Sequence, residues 1–243
     1  MTNYHHTVAT TGRVHRPSHP GASLAFIFST LSFLFWANIL GYLGPGGSLA
    51  VGLVQLAVYG SYLAGSVILL KRGDDLDGNV FMVFAAFFGG VGGMLNIGST
   101  ISVLLGVPFS PQVGGICWIM AGIFLLACSP ASLRTNLVDA GVYILGAVAL
   151  LTLGFAAVGF LPGTVLTVAA WMLFVVGVLA LVLTVSIVGS HIGYRIPMGP
   201  ALLRTRAATL PGSVVPHGES PNEDSWNQSP HELLEPATTD RRQ

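Results

Sequence analysis

The chain has 243 residues, 52% hydrophobic and only 8% charged, with a mean hydropathy of +0.73. A water-soluble domain carries charge on about a quarter of its residues, so this composition belongs to a protein that lives in a lipid bilayer. Ten Lys and Arg balance ten Asp and Glu, leaving no basic field to gather nucleic acid, which is excluded as the main partner.

Crossing the hydrocarbon core takes roughly 20 helical residues, and six apolar runs approach that length. Residues 1–21 come first as an N-terminal tail holding His5, His6, His15 and His19. No apolar stretch in this tail precedes a small-residue cleavage site, so the first helix itself is expected to act as the targeting signal. The runs are Leu24 to Leu43, Leu49 to Leu70, Val80 to about Leu105, Val113 to Cys128, Leu137 to Leu161, and Val165 to Val188. Breaks such as Gly44-Pro45-Gly46-Gly47, Gly106-Val107-Pro108 and Leu161-Pro162-Gly163 carry turn chemistry. Only helices and closed barrels satisfy backbone groups in lipid, and no strand alternation is present, so an all-α integral membrane protein of six transmembrane helices is predicted over residues 22–192.

All ten Lys and Arg fall at one side of that arrangement: Arg13 and Arg16 before the first helix, Lys71 and Arg72 after the second, Arg134 between the fourth and fifth, and the rest beyond the sixth. The other three connections carry no charge of either sign. Positive charge stays cytoplasmic, so both termini are expected there. Beyond the sixth helix, residues 193–243 become rich in Ser, Pro, Asn and Glu, and are expected to form a mostly disordered cytoplasmic tail.

Within the helices almost no group is ionisable. Asp139 and His191 lie close to Arg134 and Arg195, near helix ends where water or a neighbouring charge is in reach, and both are read as structural. Cys117 and Cys128 stand eleven residues apart in one run, about 16 Å along a helix and too far for a disulfide. The His5-His6 pair could bind a metal, but in a chain terminus it reads as part of a solvated tail. No metal spacing, phosphate-cradling loop or catalytic triad appears, so no enzyme, catalytic residue, metal or cofactor is expected. Uncharged polar residues remain. Gln55, Tyr59, Tyr62 and Ser66 recur at spacings of four, three and four along one face of the second helix. They serve either as a pore lining or as interhelical hydrogen bonds, and Asn38, Asn96, Ser99 and Thr100 present the same choice. Gly89, Gly90, Gly92 and Gly93 on the third helix include the GxxxG pair Gly89 and Gly93. The cluster is either a packing seam or a helix break beside a substrate path, with Phe87 and Phe88 placed to narrow it.

Several segments resemble, in order, those of the acetate uptake transporter family, also called the succinate-acetate permease family. Gly78-Asn79-Val80-Phe81 opens a stretch similar to the family's GNTFxxTAF, and Tyr59-Gly60-Ser61-Tyr62-Leu63-Ala64-Gly65 lies just upstream of the basic turn Lys71-Arg72. Pro197-Met198-Gly199-Pro200 is similar to the family's closing LPxGP. Pro17-Ser18-His19-Pro20-Gly21-Ala22 stands where the family carries NPAPLGL, without its asparagine. The resemblance implies six helices, a ring-shaped homo-oligomer, often a hexamer, and transport of acetate and similar short carboxylates, whether monocarboxylates or the dicarboxylate succinate. Carried over by position, it places the family's constriction at Phe26, at Gly89 with Phe88 beside it, and at Ile144. A glycine where the family has tyrosine implies a wider, less polar gate.

With no proton carrier at mid-membrane, the proton is expected to travel on the substrate, since a bare carboxylate crossing an apolar constriction faces a large desolvation penalty. The expectation is a bacterial inner-membrane or plasma-membrane channel or transporter for short carboxylates, equivalent to proton symport, with Gln55, Tyr59, Tyr62 and Asn96 as polar stations. A channel for a small neutral solute such as urea, an amide or ammonia, and a non-transporting membrane scaffold, are the alternatives.

Overall fold

The computed structural model describes residues 19–203, and among these it is all helix and connection, without a strand. Six helices are long and apolar enough to cross a membrane. We label them α1 (Gly21–Ile39), α2 (Gly47–Lys71), α3 (Asp75–Leu105), α4 (Gln112–Ser132), α5 (Leu137–Ala157) and α6 (Val165–His191). α3 is α-helical at both ends, with a π-helical turn, Ala85–Val91, between them.

The termini depart from the predicted runs for local reasons. α1 stops at Ile39, short of Leu43, because Gly41 takes φ +78° and turns the chain back: its N–H donates to Asn38 O at 3.0 Å, and Tyr42 N–H donates to Ala37 O at 2.8 Å. A left-handed residue closing two such bonds satisfies carbonyls that an open helix end would leave orphaned, and glycine adopts that conformation without strain. The same pair of bonds closes α2, α3, α5 and α6. α3 begins at Asp75, five residues before the apolar run, with Asp75 and Asp77 in its first turn, where carboxylates suit the positive end of the helix dipole. Asn136 caps α5 by accepting from Asp139 N–H at 2.9 Å.

The helices pack as neighbours α2 with α3, α4 with α5, and α1 and α5 each with α6. At the α2 and α3 crossing the backbones nearly touch: a Cβ on Gly93 would stand 2.9 Å from the carbonyl oxygen of Gly52. The glycine cluster is therefore a packing seam on this side. Leu24, Leu31, Leu69, Leu125 and Leu173 fill the interior, while Leu53, Ile116, Met120, Val178 and Leu181 cover the outside with apolar surface suited to hydrocarbon.

Residues 193–203 do not trail away. Leu202 N–H donates to Leu133 O at 3.0 Å and Val138 N–H to Met198 O at 3.3 Å, tying the chain after α6 to the turn between α4 and α5. That places Arg134 and Arg195 at one end of the bundle, with His19 and Asp74 at the same end. Pro20 stands at the start of α1, and Gly199 packs against Leu137. The expected solvated residues 1–18, including His5 and His6, and the tail from 204 onward lie outside the described residues.

Candidate functional site: two cavities and an aromatic stack

Among the described residues, two cavities are lined by the buried faces of the helices, one toward each end of the bundle. The larger, about 320 Å³, opens toward the end whose connections carry no charge; Phe35, Asn38, Asn96, Ser99, Phe109 and Trp118 line it, with aliphatic side chains from α5 and α6. Its polar groups are amides and hydroxyls, so it can hydrogen-bond a solute without attracting or repelling charge. The smaller, about 90 Å³, faces the charged end and is bordered by His19, Asp77, Asp139 and Tyr143 together with Phe28 and Phe84.

Between them stands a stack of phenyl rings. Phe28 and Phe84 lie face to face with centroids 4.8 Å apart, and Phe88 leans on both, at 6.1 Å from Phe28 and 5.0 Å from Phe84. On its other side Phe88 meets Phe35 at 5.6 Å and Trp118 at 5.2 Å, both edge-on. Phe28, Phe84 and Phe88 are each less than 5% exposed. Offset and edge-to-face contacts at these separations are favourable, so the stack is a closed wall of rings between the two cavities.

Among the described residues, carboxyl and imidazole groups gather at the charged mouth. His19 Nε2 lies 3.5 Å from Asp74 Oδ2, and the Tyr143 hydroxyl donates to Asp77 Oδ1 at 3.0 Å. Asp139 accepts from Thr135 Oγ1 at 3.0 Å and Asn136 Nδ2 at 2.7 Å. Asp139, read from the sequence as structural, thus holds the side chain of the cap residue Asn136 and borders the cavity too. Among the described residues no group of three or more His, Cys, Asp or Glu could hold a metal ion.

Of the three positions proposed for a constriction, one lies in the stack. Phe88 does; Phe26 is 54% exposed on the outside of α1 and borders neither cavity. Two residues along a helix is more than half a turn, so Phe28 faces inward where Phe26 cannot. Gly89 faces α2, where a Cβ would stand 3.0 Å from Tyr59 Cα, and the wider gate expected from it does not arise because Phe88 fills that level. Ile144 is half-buried and borders neither cavity, whereas its neighbour Tyr143 borders the charged one.

The polar stripe of α2 divides similarly. Gln55, Tyr62 and Ser66 are buried and Tyr59 is 40% exposed. Gln55 is used between helices: its amide donates to the Phe88 carbonyl, and its own carbonyl accepts from Asn96 Nδ2 at 2.6 Å. Tyr62 stacks on Phe81 with centroids 5.8 Å apart, and its hydroxyl has no hydrogen-bond partner among the described residues. Asn96, with Asn38 and Ser99, reaches the neutral cavity. Gly78 packs beneath Leu70, and Asn79 is exposed, bonding back to Asp75 O at 2.7 Å. The residues missed in the sequence are Phe28, Phe35, Phe84, Trp118 and Asp77. A hint existed: Phe28 and Phe35 stand seven apart on the face that also carries Ser32, a polar residue with no reason to meet lipid.

No family model matches the chain, and no curated protein matches it in sequence. In three dimensions it is similar to the structure of the bacterial acetate channel SatP, with a TM-score of 0.62 at 18% identity, over 76% of this chain and 100% of that one. At that identity the likeness establishes a shared fold.

Proposed function

We propose that the protein conducts acetate and similar short carboxylates across a membrane in their protonated form. The observation that carries this reading is the arrangement of a neutral cavity and an acidic one on either side of Phe28, Phe84 and Phe88. A fold shared with an acetate channel supports the same substrate class.

A carboxylate forced between phenyl rings loses its water and gains no partner, a penalty of several kcal/mol that protonation largely removes. On the neutral side Asn38, Asn96 and Ser99 offer hydrogen bonds that an undissociated acid can use. On the charged side Asp77 and Asp139 oppose an anion by like charge and accept a hydrogen bond from a neutral acid. Each acid molecule that crosses carries one proton, so the net movement equals proton symport without a proton-carrying residue at mid-membrane. The same reading places both termini in the cytoplasm, by the positive-inside bias, and takes residues 22–192 as the transport domain of a ring-shaped homo-oligomer in a plasma membrane.

Uptake of radiolabelled acetate into liposomes carrying the purified protein tests this at external pH 5.5 and 7.5, with empty liposomes as reference. A simple carboxylic acid has a pKa of roughly 4 to 5, so its neutral fraction falls about a hundredfold between these values, and flux at equal total acetate should fall with it. Flux that ignores pH removes the protonated-acid mechanism. The uncharged lining of the larger cavity favours one other reading, a channel for a neutral solute such as urea, and urea flux indifferent to acetate would select it. No flux above lipid leakage for either solute would favour a scaffold.

A further inference from the structure

Asn96 borders the neutral cavity and also reaches, through one side chain, the backbone of the constriction. Its Nδ2 donates to Gln55 Oε1 at 2.6 Å, and Gln55 Nε2 donates to the carbonyl oxygen of Phe88. Gln55 is fully buried, so neither bond competes with water. Phe88 lies inside the π-helical turn Ala85–Val91, a wider winding that holds one residue more than an α-helical turn and is rare outside functional sites. Such a turn persists where something outside the helix holds it, and here the Gln55 amide grips its carbonyl. Gly89 and Gly90 lie within the turn and Gly92 and Gly93 follow it, and backbone without side chains re-winds easily.

We propose that Asn96 and Gln55 form a relay that couples occupancy of the neutral cavity to the position of the Phe88 ring. A solute that accepts a hydrogen bond from the Asn96 amide draws it from Gln55, Gln55 releases the Phe88 carbonyl, and the π turn re-winds to α. Loss of one residue's excess rotates the chain beyond it by about 100°, enough to carry Phe88 off Phe28 and Phe84. Both are positioning residues: they act on the gate through its backbone. The relay rests on the proposed substrate class only for the identity of the solute.

Trp118, whose ring touches Phe88, reports the motion. With Trp36→Phe, Trp171→Phe and Trp226→Phe, it is the sole remaining tryptophan of four. In the full-length protein in liposomes at pH 5.5, acetate is expected to shift Trp118 emission saturably. Gln55→Met, of similar volume but without hydrogen bonds, should abolish the shift and raise acetate flux severalfold by freeing the gate. Asn96→Leu should abolish the shift and raise flux as Gln55→Met does, since Gln55 without its Asn96 bond has already released Phe88 and the solute has no bond left to withdraw. The double variant should behave as Gln55→Met alone. A shift that survives either substitution, or a double variant whose flux is the sum of the two effects, overturns the relay. Should Gln55→Met fail to fold, Asn96→Leu decides alone by keeping or losing the shift. If the unsubstituted protein carries no acetate but urea shifts Trp118 with the same order of effects, the substrate reading fails and the relay stands. If acetate flux follows pH while Trp118 stays silent, the relay fails and the substrate reading stands.

Discussion

The two ends of the bundle hold cavities of opposite character. The neutral end offers amides, hydroxyls and aromatic faces around about 320 Å³; the charged end compresses two carboxyl groups, a phenol and an imidazole around about 90 Å³. The reason for the difference lies in helix geometry. Asp75, Asp77 and Asp139 occupy first turns, where the helix dipole and unpaired N–H groups favour negative charge and water is close. Nothing equivalent supports a charge at mid-membrane, and the polar residues found deeper, Gln55 and Asn96, are uncharged and bonded to one another. The interior of this fold is therefore acidic only near the ends of its helices and neutral deeper in, with the ring stack as the boundary.

The largest test of that contrast is at the boundary itself. Phe88→Ala should raise protein-dependent acetate flux about tenfold, the equivalent of roughly 1.4 kcal/mol taken from the barrier, whereas the exposed Phe26→Ala should leave flux unchanged. Parallel uptake assays on both variants decide whether the gate lies where the rings meet or where the family alignment places it. Asp77→Asn probes the acidic side. It should compress the ratio of flux at pH 5.5 to flux at pH 7.5 by about threefold, since only about 1 kcal/mol or less of like-charge repulsion survives screening at a half-exposed site.

Smaller effects concern stability rather than flux. Gly92 has no room for a side chain: a Cβ there would press on the Gln55 amide nitrogen and stand 2.9 Å from Trp118 Cη2. Gly92→Ala should cost about 1–3 kcal/mol through overpacking, read as a lowered unfolding midpoint in detergent. Asn136→Ala removes the cap of α5 and should cost about 1 kcal/mol by the same measurement. An unchanged midpoint in the first case would mean that Gln55 can be displaced freely, and that its bond to Phe88 holds nothing.

Much of the architecture was legible along the chain. Six apolar runs, glycine-marked breaks and one-sided basic residues give six helices and group their connections into a charged and an uncharged set, and the glycines of the third run announced a close crossing, met at Gly52 and Gly93. Helix ends were misjudged by a few residues because hydropathy continues through Leu40 and Leu43 although Gly41 has already ended the helix. The site was less legible. Apolar residues surround these helices on every side, so periodicity does not tell an inward Phe28 from an outward Phe26. Gln55 and Asn96 were visible as polar residues in a membrane segment, but their partners, 41 residues apart in sequence, were not.

The sequence by itself determined the environment and the inventory: a bilayer protein of six helices, charge confined to one set of connections, and a handful of uncharged polar groups within the span. Those follow from transfer energies and from backbone hydrogen bonding, which are properties of local composition. Only the tertiary structure decided which rings meet, that Asp77 and Asp139 share a cavity, and that α3 widens into a π turn whose carbonyl Gln55 holds. Those depend on which face each helix turns toward its neighbours, and in a chain apolar on all sides that is settled by close packing between helices rather than by hydropathy along any one of them.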